Sequence, residues 1–483
     1  MNRQQQLFRW QLITFATLWV GYAGYYVCRS NLSVAGPSLQ AELAGQPVSA
    51  TEEWINQARD GFSHRLGGAI TYAQRLVGLG DDKPATVAPQ KPREESSGKR
   101  RFGLIASVSI LWYALGKFTS GMVCDFVGGR RMFLFGMLAS VVCTVLFGLA
   151  TGFAAMLAVW SVNRLVQSMG WSALVKVASR WFPAARHGSI FGVLTLSYLF
   201  GDAIARLGLG ALLYLGLGWR GLFFAAAGLL AAISLVSMFT LKSSPADVGA
   251  YEPDANPENV YGPQGNAPRP ADLFDLLWPL ASSFSFWLVC VISFGLTMVR
   301  ETFNTWNPIY LKEAVGLTDS GAATASALFP LVGGLSTIAA GLATDRLTRG
   351  RRGMVMLPFL GLLVAALYGL AQREPGEGVV VPLLLTSLVS FALLGPYSFL
   401  TGVISLDFGG KRGSSTAAGL ADTAGYLGGI ISGYGVGAIA DEHGWSAAFA
   451  TLGAVAVATL VAAVLYWYMH DVRRRHRVLD ATV

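Results

Sequence analysis

A chain of 483 residues that is 53% hydrophobic and only 13% charged, with a mean hydropathy of +0.48, carries too little polar surface for a soluble globule and reads as a membrane protein. Its net charge of +8 sits in short runs between apolar stretches, which argues against nucleic-acid binding and for orientation in a bilayer. The four cysteines (Cys28, Cys124, Cys143, Cys290) fall in or beside apolar stretches, so no disulfide framework is expected.

The N-terminus leads directly into the first apolar stretch, which is long enough to stay in the bilayer, and no cleavable signal is evident. A crossing needs about 20 mainly apolar residues. Twelve stretches qualify: 10–35, 101–124, 131–151, 154–178, 188–215 and 220–241, then 283–311, 322–344, 354–371, 379–406, 413–439 and 446–470. The expected fold is all-α and polytopic. The first helix falls in 1–36, an extracytoplasmic insertion in 37–100, and the rest of a six-helix N-terminal half in 101–241. A linker follows at 242–282, a C-terminal half at 283–471 and a tail at 472–483. Within the insertion Trp54, Ala58, Phe62, Leu66, Ile70 and Ala73 recur at helical spacing and suit a membrane surface. Residues 81–100, rich in Pro, Lys and Glu, have the composition of a disordered spacer. An insertion without a direct role is favoured over a functional lid.

Charge runs orient the spans. Arg3 and Arg9, Arg130 and Arg131, Arg180 and Arg186, Arg349 to Arg352, Lys411 and Arg412, and Arg473 to Arg477 fall on one side, which is therefore expected to be cytoplasmic with both termini. The halves repeat. Gly121 and Asp125 lead to Gly129-Arg130-Arg131 after the second span, and Gly341 and Asp345 lead to Gly350-Arg351-Arg352 after the eighth. Gly218-Trp219 with Phe223 and Gly444-Trp445 with Phe449 open the sixth and twelfth spans. Paired halves around a central cavity are a transporter architecture. Asp125 with Arg130 and Arg131, and Asp345 with Arg346, Arg351 and Arg352, are expected to form charge networks that latch an outward-open state.

An ionisable side chain at bilayer depth marks a functional site by default. Arg29 and Arg300 occupy corresponding helices of the two halves and are expected to face each other across the cavity. Tyr22, Tyr25, Tyr26 and Arg29 share one helical face, and Asn304 and Asn307 follow Arg300 at helical spacing. Two guanidinium forks with aromatic hydroxyls suit a phosphate dianion. Lys117, one turn from Tyr113, is a third candidate cation.

At these residues the chain resembles the organophosphate:phosphate antiporters of the major facilitator superfamily. The resemblance is carried by Tyr22-Ala-Gly-Tyr-Tyr-Val-Cys-Arg29-Ser-Asn31, Gly116-Lys117-Phe118 and Gln167-Ser-Met-Gly170-Trp171. It continues in Trp306-Asn-Pro308-Ile-Tyr310, Gly395-Pro396, and Thr416 through Gly429. It covers nearly the whole chain apart from the first loop and the linker. It implies rocker-switch exchange of an organic phosphate, of glycerol-3-phosphate or sugar-phosphate type, for inorganic phosphate. Arg29 and Arg300 match its phosphate-binding arginines, Lys117 its cavity lysine, and Tyr22 and Tyr26 its cavity tyrosines. Tyr198 stands where glycerol-3-phosphate transporters carry a histidine, Ser30 where they often carry a lysine, and Thr305 where they carry an acid. The predicted substrate-binding set is Arg29, Arg300, Lys117, Tyr22, Tyr26, Tyr198, Asn304 and Tyr426.

Asp202, Glu301, Asp422, Arg164 and Arg206 are further charges within predicted spans. Asp202 and Arg206 are spaced to pair with each other. Glu301 points away from Arg300 by helix geometry. Asp422 has no obvious partner: it carries a proton, holds a substrate amino group, or pairs structurally with Arg164 or Lys117. Two alternative functions remain open, a membrane receptor for a sugar phosphate and a transporter of a non-phosphorylated organic anion. No metal-ligand spacing, nucleophile elbow or phosphate loop occurs, so no enzyme, metal or cofactor is expected. The expected partners are the small-molecule phosphates and the lipid bilayer, with no nucleic acid, and the protein is expected to act as a monomer in a bacterial inner membrane.

Overall fold

The computed structural model describes residues 3–43, 93–317, 322, 325–348, 350–374 and 376–474, and no strand occurs among them. Inside a bilayer no water is present to bond the backbone, so each crossing segment satisfies its own N–H and C=O groups as a helix. The first half consists of α1 (Arg3–Leu43), α2 (Arg93–Val127), α3 (Gly129–Leu149), α4 (Phe153–Gln167) with α5 (Met169–Trp181), α6 (His187–Tyr214) and α7 (Trp219–Thr240). A short helix, α8 (Leu273–Ala281), lies in the linker. The second half consists of α9 (Phe284–Glu313), α10 (Leu328–Arg346), α11 (Arg352–Ala371), α12 (Val380–Ser398) with α13 (Ile404–Gly409), α14 (Ser414–Ile431) and α15 (Gly437–Tyr466).

Eight of these stretches are long and apolar enough to cross a membrane by length and composition alone. The first, second, fourth and eleventh passes fall short of that, and they carry Arg29, Lys117, Arg164 and Asp422. Helix α1 extends to Leu43, past the expected end at 36, and α2 opens at Arg93, before the expected 101. A helix continues past the apolar stretch wherever its backbone bonds can continue, which apolar length does not register. Residues 44–92, with the expected surface helix from Trp54 to Ala73, lie outside the described residues, as do 475–483 of the tail.

The sequence repeat reappears in the packing. In the first half α1 packs on α6, α2 on α4 and α3 on α7. In the second half α9 packs on α14, α10 on α12 and α11 on α15, the same order of partners. The halves meet along two seams, α2 against α14 and α6 against α10. Both seams are made by glycine. A Cβ on Gly121 would lie 2.7 Å from the Ser415 carbonyl oxygen, and one on Gly192 2.7 Å from that of Thr337. Only a residue without a side chain permits that approach.

Two interruptions shape the centre. The fourth span tightens at Ser168, whose N–H is shared between the Arg164 and Leu165 carbonyls and whose hydroxyl donates to the Leu165 carbonyl at 2.6 Å. The tenth span contains a π-helical turn at Phe399–Val403, just after Pro396, whose ring removes a backbone donor. The Trp171 indole N–H donates to the Thr401 carbonyl at 2.8 Å, joining one interruption to the other across the two halves.

Candidate functional site

A narrow cavity lies where the two halves meet. Tyr22, Tyr26, Lys117, Tyr198, Arg300 and Tyr426 line it, all of them expected site residues. Trp171, Thr195, Tyr397, Ser398 and Thr401 line it too and were missed from the sequence. Tyr397, Ser398 and Thr401 belong to the interrupted tenth span, where Pro396 was the available signal. The aromatic wall is built from contacts between elements: Tyr22 on Trp171 with centroids 5.2 Å apart, Tyr26 on Tyr198 at 5.7 Å and Tyr113 edge-on to Tyr426 at 5.2 Å. The Tyr198 hydroxyl is buried and has no hydrogen-bond partner among the described residues, so its donor is free for a ligand.

Arg29 does not face the cavity as expected. Its guanidinium lies over the rings of Tyr26, at 4.3 Å, and Tyr113, at 4.6 Å, and donates to the Tyr113 hydroxyl at 3.0 Å and Gln167 Oε1 at 3.3 Å. The two tyrosines are cavity wall, and Arg29 stands behind them, held by cation–π attraction. Gln167 is fixed in turn, donating to the Cys28 carbonyl and to Ser140 and Asn163. Asn304 is exposed and is not among the cavity residues. Asn307 is buried, off the cavity, with its Oδ1 unpartnered among the described residues. Tyr25 also turns away, donating to the Phe133 carbonyl at 2.7 Å and packing against α3. Four residues at i, i+3, i+4 and i+7 span a wide arc of a helix, and Tyr25 falls at its far edge.

Of the added charges, all but Arg164 find ionic partners among the described residues. Lys117 and Asp422 form an ion pair of 2.7 Å between α2 and α14, with side chains 3% and 7% exposed, so Asp422 joins the two halves. Asp202 pairs with Arg206 at 2.9 Å and also accepts from Ser30. The Glu301 stem faces α14, where a Cβ on Gly429 would lie 3.0 Å from its Cγ, while its carboxylate turns back onto the Arg300 guanidinium, which also lies 4.4 Å from the Tyr397 ring centroid. Both side chains are long enough to bridge the angle between adjacent positions.

At the face carrying the basic loops the expected Asp345–Arg352 pair forms, and the rest of the expected motif networks is rewired. Asp125 does not pair with Arg130 or Arg131. It meets Lys176 Nζ at 2.6 Å and accepts from the Thr416 N–H at 2.8 Å and hydroxyl at 2.7 Å. Lys176, missed from the sequence, also donates to the Lys411 and Arg412 carbonyls. Arg130 donates instead to the Leu241 and Met238 carbonyls at the end of α7, and Arg131 is exposed. Asp345 accepts from the Gly188 and Ser189 N–H groups at 3.1 and 2.6 Å and from Arg352 at 3.1 Å. Arg352 also meets Asp407 at 3.0 Å, while Arg346 and Arg351 are exposed. Each acid thus caps the first turn of a helix in the opposite half, α14 for Asp125 and α6 for Asp345, where unpaired N–H groups and the helix dipole favour a carboxylate. These bonds close the basic face.

The linker is seated on that closure. Glu252 meets Arg180 at 2.9 Å and Lys411 at 3.3 Å, bridging the halves. Burial pushes its carboxyl up, and the hydrogen bond and charge of Arg180, with Lys411, bring it below the usual carboxylate range. Asn256 donates to Asp407 at 2.8 Å, and Arg412 pairs with Asp275.

Comparison with known proteins finds that the family model described as Major Facilitator Superfamily matches residues 18–433. The "Probable hexose phosphate transport protein" of Chlamydia trachomatis serovar D is 23% identical over 471 residues, 95% of this chain and 91% of that protein. The "Glycerol-3-phosphate transporter" of Bacillus subtilis (strain 168) is 24% identical over 471 residues, covering 95% and 93%. Among solved structures, the E. coli fucose:proton symporter FucP superposes with a TM-score of 0.66 at 13% identity, over 94% of this chain and 99% of that one.

Proposed function

The chain belongs to the Major Facilitator Superfamily, and from that premise we propose that it carries an organic phosphate across the membrane in exchange for inorganic phosphate. The observation that carries this reading is the cavity itself: cations from both halves, Lys117 and Arg300, within a wall of tyrosines backed by Arg29. The relatives named for hexose phosphate and glycerol-3-phosphate transport point to the same cargo. Arginine suits a phosphate because its planar fork donates two parallel bonds and sheds water more readily than an ammonium. Tyr22, Tyr26, Tyr198 and Tyr426 supply further hydroxyls. The cargo is a small phosphate monoester of glycerol or sugar size.

The basic face is cytoplasmic, with both termini, in a bacterial inner membrane, and one chain is the working unit. With that face closed, the arrangement is the outward-facing side of an alternating-access cycle. Asp125 and Asp345 latch it, each by capping a helix of the other half. The domain division follows the helices: two six-span halves, a cytoplasmic linker at 242–282, and an outer insertion with no direct part in binding.

The test is counterflow in proteoliposomes. Labelled inorganic phosphate loaded inside is exchanged against external glycerol-3-phosphate or hexose-6-phosphate. Exchange by the unaltered protein is expected, with a loss of about 100-fold in Arg29→Lys and in Arg300→Lys, since two charge-assisted bonds are weakened at each position. Binding without exchange would refute transport, and full exchange in either variant would remove that arginine from the site.

A further inference from the structure

Four cations surround the cavity, and they are not equivalent. Lys117 is answered by Asp422 at 2.7 Å, and Arg300 by Glu301. Arg29 and Arg164 meet no carboxylate among the described residues. Instead both guanidinium carbons lie 4.6 Å from the centroid of one ring, that of Tyr113. An uncompensated arginine at membrane depth is costly, and a second like charge on the same ring adds repulsion. A bound dianion relieves both.

Tyr113 provides the opening. It lines the cavity, and its hydroxyl already accepts a hydrogen bond from Arg29, which leaves its own proton to donate to an oxyanion. Its other titratable or charged neighbours are Tyr22 and Tyr26 from α1, Lys117 from its own helix, and Asp422 and Tyr426 from α14. Only Asp422 among these adds a negative charge, and Lys117 holds it.

We propose that Arg164 is the second cation of the phosphate site: with Arg29 it brackets Tyr113, and the two supply the uncompensated charge that selects a dianion. This deepens the organophosphate reading above and rests on it. Both cations then belong to the first half, while the arginine of the second half is already neutralised by its own neighbour. Phosphate therefore docks on the first half, and Arg300 is recruited only if Glu301 lets go.

The experiment is titration calorimetry of the purified full-length protein with inorganic phosphate, below and above the second ionisation of phosphate. Sulfate, a dianion throughout, is the reference that removes any titration of the protein itself. The unaltered protein is expected to bind the phosphate dianion about tenfold more tightly than the monoanion, as an added charge-assisted bond implies. Arg164→Gln and Arg164→Met, two neutral replacements of similar length, are expected to lose that preference, and Arg164→Lys to keep it. Neutral variants with wild-type affinity and preference would overturn the assignment, as would a lysine variant that behaves like the neutral ones. Failure of the unaltered protein to bind phosphate at either pH takes down the organophosphate reading as well; binding with unchanged variants takes down only this inference.

Discussion

Asp422 and Lys117 sit almost fully buried, each the other's ion-pair partner. Removing one partner of a buried pair leaves an uncompensated charge, which costs about 3–5 kcal/mol, whereas replacing both with apolar groups is often near neutral. Asp422→Asn is therefore expected to lower the unfolding temperature in detergent more than the double change Lys117→Met with Asp422→Leu. If the double variant is the less stable, the pair contributes net stability and this account is wrong. The two acids of the site differed in how far sequence could place them. Asp422 was legible as a charge in a span, with Lys117 among its alternative partners, because any carboxylate at that depth needs one. Glu301 was legible only as far as its stem, which meets Gly429 of α14 while the carboxylate returns to Arg300, because helix geometry fixes where a Cβ points but not where a long side chain ends. Arg29 shows the same limit: its helix and depth were legible, but its position behind Tyr113 depends on a contact from a distant helix.

At the scale of elements, the internal repeat was readable as two copies of a Gly–Asp–Gly-Arg-Arg motif, and the packing order of the helices repeats with it. What the motif binds was readable only in its second copy, where Asp345 meets Arg352. Arg130 and Arg131 stand nearest to Asp125 in sequence, yet the helix-capping partner lies 291 positions away, in Thr416. A charge pattern along a chain records which residues must be near a membrane face, and the fold decides which of them meet. The seams yield a prediction of their own. Gly121 and Gly192 allow α2 to touch α14 and α6 to touch α10 through backbone. Gly121→Val or Gly192→Val pushes the seam apart, so the basic face is expected to open. A cysteine introduced at Ser415 then becomes reactive to a membrane-impermeant thiol reagent added at that face, whereas in the glycine parent it stays protected. Equal reactivity in both would refute the seam's role.

For the whole molecule, two helical halves were legible in the apolar stretches, although only eight of the described helices are long and apolar enough to cross by that measure, and the linker was read as polar chain between the halves. Its seat was not, because Glu252, Asn256 and Asp275 find their partners on helices far apart in sequence. The Glu252 bridge gives the linker a pH dependence with a definite sign. A carboxyl held below its usual value stabilises the folded arrangement above the unfolded value of about 4.3 and loses that contribution as pH falls through its folded value. The bridge is thus complete at neutral pH and released by acid. Glu252→Gln is expected to mimic acid at neutral pH, speeding cleavage of the linker by a protease of broad specificity several-fold. Unchanged cleavage would mean that Asn256 and Asp275 hold the linker without it.

The glycine seams bear on how fast such a molecule can turn over. Where helices interlock through side chains, each knob must leave its hole before one helix can shift past another, and every such exit adds to the barrier. Along α2 and α14, and along α6 and α10, smooth backbone rests on smooth backbone. At these glycines the two halves meet as surfaces of a bearing, and the links that must be released lie beside them, Lys117 with Asp422 on the α2–α14 seam and the caps at the basic face. The resistance to reorientation is thereby carried by those polar links, Lys117 with Asp422, Asp125 and Asp345, so that speed is tuned at a few charged residues while the glycine contacts are left untouched.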